Sequence, residues 1–169
     1  MAKAVAVAVQ LPRVQLLTLH ASSGAAVMRA AREAAGSVSK RPKLLAVTVL
    51  TSFDAATLRE IGMAGSLETR AVALARLAKK TGMDGVVCSA HEARAIRRAC
   101  GPEFVILIPG VRPRSGAAND QSRIATPAEA IRAGADYLVI GRPITAARDP
   151  RSAVLAIVNE IRSAMRHTR

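Results

Sequence analysis

Short, almost uninterrupted apolar runs alternate along this chain with longer stretches in which apolar residues return every third or fourth position. The runs fall at Val14–Leu19, Leu44–Leu50, Gly85–Cys88, Phe104–Ile108 and Tyr137–Ile140. They lack the in-out alternation of a half-exposed strand, which is the pattern of strands covered on both faces. Helix signals lie between them. Ser89-Ala90-His91-Glu92 and Thr126-Pro127-Ala128-Glu129 are capping boxes, the second with proline at the first helical position. Ser66 suits the cap of a helix running to about Lys80 and stopped by Gly82, and Asp149-Pro150 opens a last helix with Val154, Val158, Ile161 and Met165 at helical spacing. Met1–Gln10 reads as the body of a helix packed on the following strand, although its alternation also fits a strand. Strands alternating with helices predict an α/β fold with a parallel sheet and right-handed crossovers. No linker or low-complexity segment divides it, so residues 1–169 read as one domain.

The segment Pro109–Thr145 changes this from a fold pattern into a candidate site. The run ending at Ile108 breaks at Pro109-Gly110, and the run ending at Ile140 breaks at Gly141-Arg142. Glycines let backbone N–H groups approach an anion closely, and arginines at or beyond both breaks supply permanently charged planar forks. A phosphorylated small molecule is the ligand this predicts. The irregular stretch from Val111 to Ala125 leaves a strand's C-terminal end, where α/β folds place their chemistry.

Composition narrows the options. Half of the residues are hydrophobic but only 2% are aromatic, so the core must be built from Ala, Val, Leu and Ile. The net charge of +13 raises nucleic acid as a partner, yet the arginines are spread over nearly every helix. Only Arg94, Arg97 and Arg98 cluster, and few rings exist to stack on bases, so the pattern reads as solvated basic helix faces. No apolar run nears the roughly 18 residues of a membrane helix, and no signal-peptide architecture is evident, which gives a cytoplasmic expectation. Cys88 and Cys100 read as reduced structural thiols. His20, His91 and His167 have no metal-ligand spacing, and no base stands near Cys88 in the sequence pattern to make it a nucleophile.

Several motifs in order carry a resemblance: LHASSGAAVM (Leu19–Met28), VTVLTS (Val47–Ser52), DGVVCS (Asp84–Ser89), the PGVRP…NDQSRIATPAEA loop and ADYLVIGRPIT. Together they resemble orotidine 5′-phosphate decarboxylase from about Ala2 to the last helix. The resemblance implies a (β/α)8 TIM barrel, usually dimeric, that converts orotidine 5′-phosphate to uridine 5′-phosphate without a cofactor. It also implies roles. Arg142 and the N–H of Gly141 hold the 5′-phosphate, Gln121 reaches that phosphate and closes over the nucleotide, Arg112 lies in the same region, and Thr51 hydrogen-bonds the pyrimidine ring.

The family's chemistry rests on a lysine–aspartate array that includes an Asp-x-Lys-x-x-Asp motif on the third strand. None of Asp54, Asp84, Asp120, Asp136 and Asp149 has a lysine two places on. The expectation is therefore a partial barrel of about five parallel strands, the family's strands 4 to 8, with an N-terminally truncated start and no catalytic residue of the array. Its outer strands would expose unpaired edges and favour association. Other phosphate-binding barrels, or a basic nucleotide- or RNA-binding half-barrel, are the alternative readings.

Overall fold

A computed structural model of the chain describes residues 1–113 and 124–166. Five strands, β1 (Leu16–His20), β2 (Lys43–Val47), β3 (Gly85–Val87), β4 (Val105–Pro109) and β5 (Tyr137–Val139), form one sheet in chain order. Every neighbouring pair is parallel. The helices among the described residues are α1 (Ala2–Ala8), α2 (Ala25–Ala35), α3 (Ala55–Glu60), α4 (Leu67–Lys80), α5 (Ala90–Cys100), α6 (Pro127–Arg132), α7 (Arg142–Thr145) and α8 (Pro150–Arg166). Parallel strands in unbroken sequential order wind in one direction, as an arc of a barrel does.

The sheet has two unlike faces. Leu19, Leu44, Ala46, Val86, Cys88, Ile106 and Ile108 point toward the helices and pack on Met28, Ala31, Ala71, Ala75, Ala78, Ala93, Ile96 and Ala130. Alanines on the helices' inner faces let them sit close to the sheet, so the core closes almost without rings. The opposite, concave face is a smaller cluster of Leu45, Val87, Val105 and Leu107, flanked by Leu16 and Val47.

Most expected elements are present, with shifted ends. Met1–Gln10 holds a helix, not a strand. The Leu44–Leu50 run yields a strand only to Val47; there the Thr48 N–H closes the ladder on the Val87 carbonyl at 3.0 Å, and its Oγ1 donates to the same carbonyl at 3.0 Å. Ser66 caps α4, and both capping boxes are formed. In α8 the buried positions are Ile157 and Ala164, whereas Val154 and Met165 of the expected apolar stripe are exposed.

Two connections use one local device. After α4, Gly82 turns with φ 81° and the Met83 N–H reaches back to Ala78 O at 3.1 Å. The Asp84 N–H then donates to Leu44 O at 2.9 Å, while its carboxylate accepts from Leu44 N at 2.7 Å and from the Arg41 fork at 2.5 and 2.7 Å. After α6 the steps recur: Gly134 at φ 101°, Ala135 N–H to Ala130 O at 3.1 Å, Asp136 N–H to Ile106 O at 2.9 Å and Asp136 Oδ2 accepting from Ile106 N at 2.7 Å. Arg97 takes the place of Arg41. It also donates to the carbonyls of Gly101, Pro102, Phe104 and Gly134, so it is a structural pin and not part of a solvated basic face. Burial works against the Asp84 carboxylate, but the Arg41 fork and the Leu44 N–H outweigh it and hold its pKa below the usual carboxylate range.

Candidate functional site

The C-terminal ends of β4 and β5 open onto a crevice of about 200 Å³ lined by Pro109, Gly110, Val111, Arg112, Val139, Gly141, Arg142 and Pro143. One wall forms where β4 ends and Gly110, at φ 72°, turns the chain. Val111 then bridges Ala125 in parallel, and the Arg112 N–H donates to Ala125 O at 3.0 Å. This closes the base of the long loop and leaves Arg112 only 7% exposed. The other wall forms where β5 gives way to Gly141. The Gly141 carbonyl accepts from Ile144 N at 2.8 Å and Thr145 N at 3.1 Å, which starts α7 and carries Arg142 to the mouth. A Cβ at Gly141 would meet nothing within 4 Å, so the glycine keeps open space there.

Two guanidinium-bearing residues, one buried and one exposed, thus share a crevice with two glycines. Planar guanidinium forks suit an oxyanion. Other hollows are larger, at 450 Å³ between α4 and α5 and 730 Å³ beside β5, but neither lining combines glycines with arginines.

Of the residues singled out in the sequence, Arg112, Gly141 and Arg142 come together here. Thr51 does not line the crevice; it lies partly buried in the turn after β2, separated from β4 by β3. The cap of α3 is Asp54, which accepts from Thr57 N at 2.7 Å, so Thr51 is not spent on capping. Gln121 and His167 lie outside the described residues. His20 ends β1 and His91 sits in the first turn of α5, both exposed. Cys88 and Cys100 are buried free thiols, and burial pushes the Cys100 thiol pKa up. The sequence reading missed the part played by Ala125, whose carbonyl closes the loop base; its apolar side chain beside a cap gave no sign of it.

An arc of parallel strands wound in one direction, with a polar crevice at the strands' carboxyl ends, defines a (β/α)-barrel protein that carries its ligand site on that rim. The chain matches the model of the Orotidine 5'-phosphate decarboxylase / HUMPS family over residues 1–157. It is 54% identical over 151 residues to an orotidine 5'-phosphate decarboxylase of Trichlorobacter lovleyi, covering 88% of this chain and 63% of that protein. A relative of the same name in Nitrosococcus oceani is 51% identical over 148 residues, covering 88% and 64%. The crystal structure of orotidine 5'-phosphate decarboxylase from Lactobacillus acidophilus superposes with a TM-score of 0.77 at 34% identity, covering 95% of this chain and 67% of that one. The chain belongs to the orotidine 5′-phosphate decarboxylase / HUMPS family, and its fold is a partial (β/α)8 barrel. It spans less than two thirds of the length of the curated relatives it matches.

Proposed function

We propose that this chain is the phosphate- and pyrimidine-binding part of an orotidine 5′-phosphate decarboxylase, corresponding to the family's strands 4 to 8. The observation that carries the reading is the crevice between β4 and β5, where Arg112, Gly141 and Arg142 meet although they come from opposite ends of a long segment. In this reading the Arg142 guanidinium and the Gly141 N–H hold the nucleotide's 5′-phosphate, and Arg112 supports the same corner. Gln121 reaches over the phosphate from the long loop. Thr51, in the turn after β2, lies beyond β3 from the crevice, as suits contact with the pyrimidine ring at the other end of the ligand. The family also implies a cytoplasmic homodimer that works without a cofactor.

The reaction breaks the bond from the pyrimidine ring to its carboxylate, releases CO2 and returns a proton to the carbanion left behind. Phosphate binding far from that carbon contributes only when charged groups at the carbon make use of it. The 169 residues contain no Asp-x-Lys, so the chain by itself holds the nucleotide without converting it. Titration calorimetry tests the first half. Uridine 5′-phosphate should bind saturably and more tightly than ribose 5-phosphate, and equal affinity for the two would exclude a pyrimidine site. Following the absorbance of orotidine 5′-phosphate tests the second. Robust turnover by the purified chain would refute the assignment of the catalytic groups to residues it lacks.

A further inference from the structure

A helix leaves its first backbone N–H groups without partners of its own. In α6 the capping box serves two of them: the Glu129 N–H donates to Thr126 Oγ1 at 3.2 Å, and the Thr126 N–H donates to the Glu129 carboxylate at 2.8 Å. Pro127 has no N–H to satisfy. The Ala128 N–H goes outside the helix and donates at 3.1 Å to Oε1 of Glu160 on α8. Ala128 is only half-buried, so burial alone does not demand a protein partner for that group. Glu160 is the one acidic side chain of α8, a helix that also carries Arg151, Arg162 and Arg166, yet its carboxylate is turned to the start of α6.

What this bond joins gives it a meaning. The residue before the α6 cap is Ala125, whose carbonyl accepts from the Arg112 N–H at 3.0 Å and whose backbone bridges Val111. Ala125 and Thr126 are only 7 and 8% exposed, so the Arg112 wall of the crevice stands on the buried first turn of α6. The other wall leads into α8: Gly141 starts α7, which carries Arg142 and packs against α8. α6 and α8 also pack on each other. Apolar packing between helices tolerates sliding, whereas a charge-assisted bond to one N–H has a direction and a length. Glu160 itself lines no part of the crevice.

We propose that Glu160 is a positioning residue of the anion crevice: its bond to the Ala128 N–H holds α6 to α8 and so sets the Arg112 wall against the Arg142 wall. The influence passes from Glu160 through Ala128, the Thr126 cap and the Ala125 carbonyl to Arg112. Two planar forks engage one oxyanion only while their spacing is kept, and misplacement by about 1 Å costs a site much of its grip. The carboxylate works as an acceptor and not as a charge for the ligand to meet, since a negative group would oppose an anion. An amide oxygen at the same reach therefore serves nearly as well. The nucleotide part of the test rests on the phosphate-binding reading given above; the exchange part does not.

The test compares Glu160→Ala with Glu160→Gln in the 169-residue chain. Without ligand, amide hydrogen exchange at Arg112 should quicken about tenfold in Glu160→Ala and stay at the parent rate in Glu160→Gln. By calorimetry Glu160→Ala should weaken uridine 5′-phosphate about tenfold, the scale of one lost charge-assisted contact, while Glu160→Gln stays within about threefold of the parent. In an Arg112→Ala background Glu160→Ala should cost less than about twofold, because the residue it acts through is gone. Ser66→Ala removes a cap bond of the same 3.1 Å length from α4, away from the crevice, and should leave the affinity unchanged. Unaltered exchange at Arg112, no restoration by glutamine, full additivity with Arg112→Ala, or an equal loss in Ser66→Ala would each overturn the proposal. A parent chain that binds no uridine 5′-phosphate, with the Arg112 exchange responding as expected, would refute the nucleotide reading and leave this one standing.

Discussion

Gly85 lies in the middle strand of the sheet, in register with Leu45 on one side and Val105 on the other. A Cβ added there would stand 2.2 Å from the Val105 carbonyl oxygen and 2.5 Å from Val105 Cβ. Ordinary carbon contacts need about 3.5–4.0 Å, so Gly85→Ala requires β3 and β4 to part by roughly 1 Å. The bonds across that seam, Val105 N to Asp84 O at 3.0 Å and Cys88 N to Leu107 O at 3.1 Å, would stretch beyond useful length. Losing two such bonds costs about 1 kcal/mol each. Overpacking adds about 1–3 kcal/mol. Alanine's restriction of the unfolded chain returns only about 0.4–1 kcal/mol. The net loss is about 2–4 kcal/mol out of a typical 5–15, which for a chain of this length lowers Tm by roughly 5–15 °C. Thermal melts followed by circular dichroism measure it. Gly141→Ala, where a Cβ meets nothing within 4 Å, is the matched control with unchanged Tm. If Gly85→Ala melted no lower than that control, the seam would be far softer than the packing implies.

Three further outcomes follow from the same geometry. Arg97→Ala removes the pin on Gly101, Pro102, Phe104, Gly134 and Asp136 and should cost about 2–4 kcal/mol in urea denaturation, while Arg98→Ala on the exposed face should cost under about 0.5 kcal/mol. Arg142→Ala should weaken uridine 5′-phosphate about 10- to 100-fold by calorimetry through loss of a charge-assisted phosphate contact. The folded-state pKa of Asp84 lies below its unfolded value of about 3.9, so its contribution to stability is present above that pH and is lost as pH falls through the depressed folded value. Asp84→Asn should therefore be less stable than the parent at neutral pH, with the difference shrinking in melts below about pH 4; a constant difference across that range would contradict the role given to the carboxylate.

Much of the architecture was legible because each strand is a dense apolar run and several helix starts carry their own cap. Ser66, Ser89 and Thr126 all act where their spacing put them. The ends were less legible. Leu44–Leu50 reads as one strand, but the ladder ends where the Thr48 hydroxyl joins its own N–H on the Val87 carbonyl, and an apolar pattern does not encode that stop. The four residues of α7 are too few for a period. At the site, paired glycine breaks with adjoining arginines identified both walls of the crevice. Arg97 was hidden for the opposite reason: on a helix rich in arginine, nothing local separates the one that reaches carbonyls from those that reach water. The signal that could have found it is the repeated Gly-x-Asp before β3 and β5, whose aspartates each need a cation from elsewhere.

That repeat also bears on the order in which the chain acquires its shape. Each Gly-x-Asp turn ends a helix, starts a strand and fixes the strand's register on the preceding one, using bonds that close within about one β/α/β unit. Contacts of short sequence separation carry a small loop-closure cost and form early. Alignment of β2 with β3, and of β4 with β5, is therefore settled by neighbours and needs no closed ring. A barrel assembled this way is a series of locally registered pairs, and its circumference is the last thing to be decided.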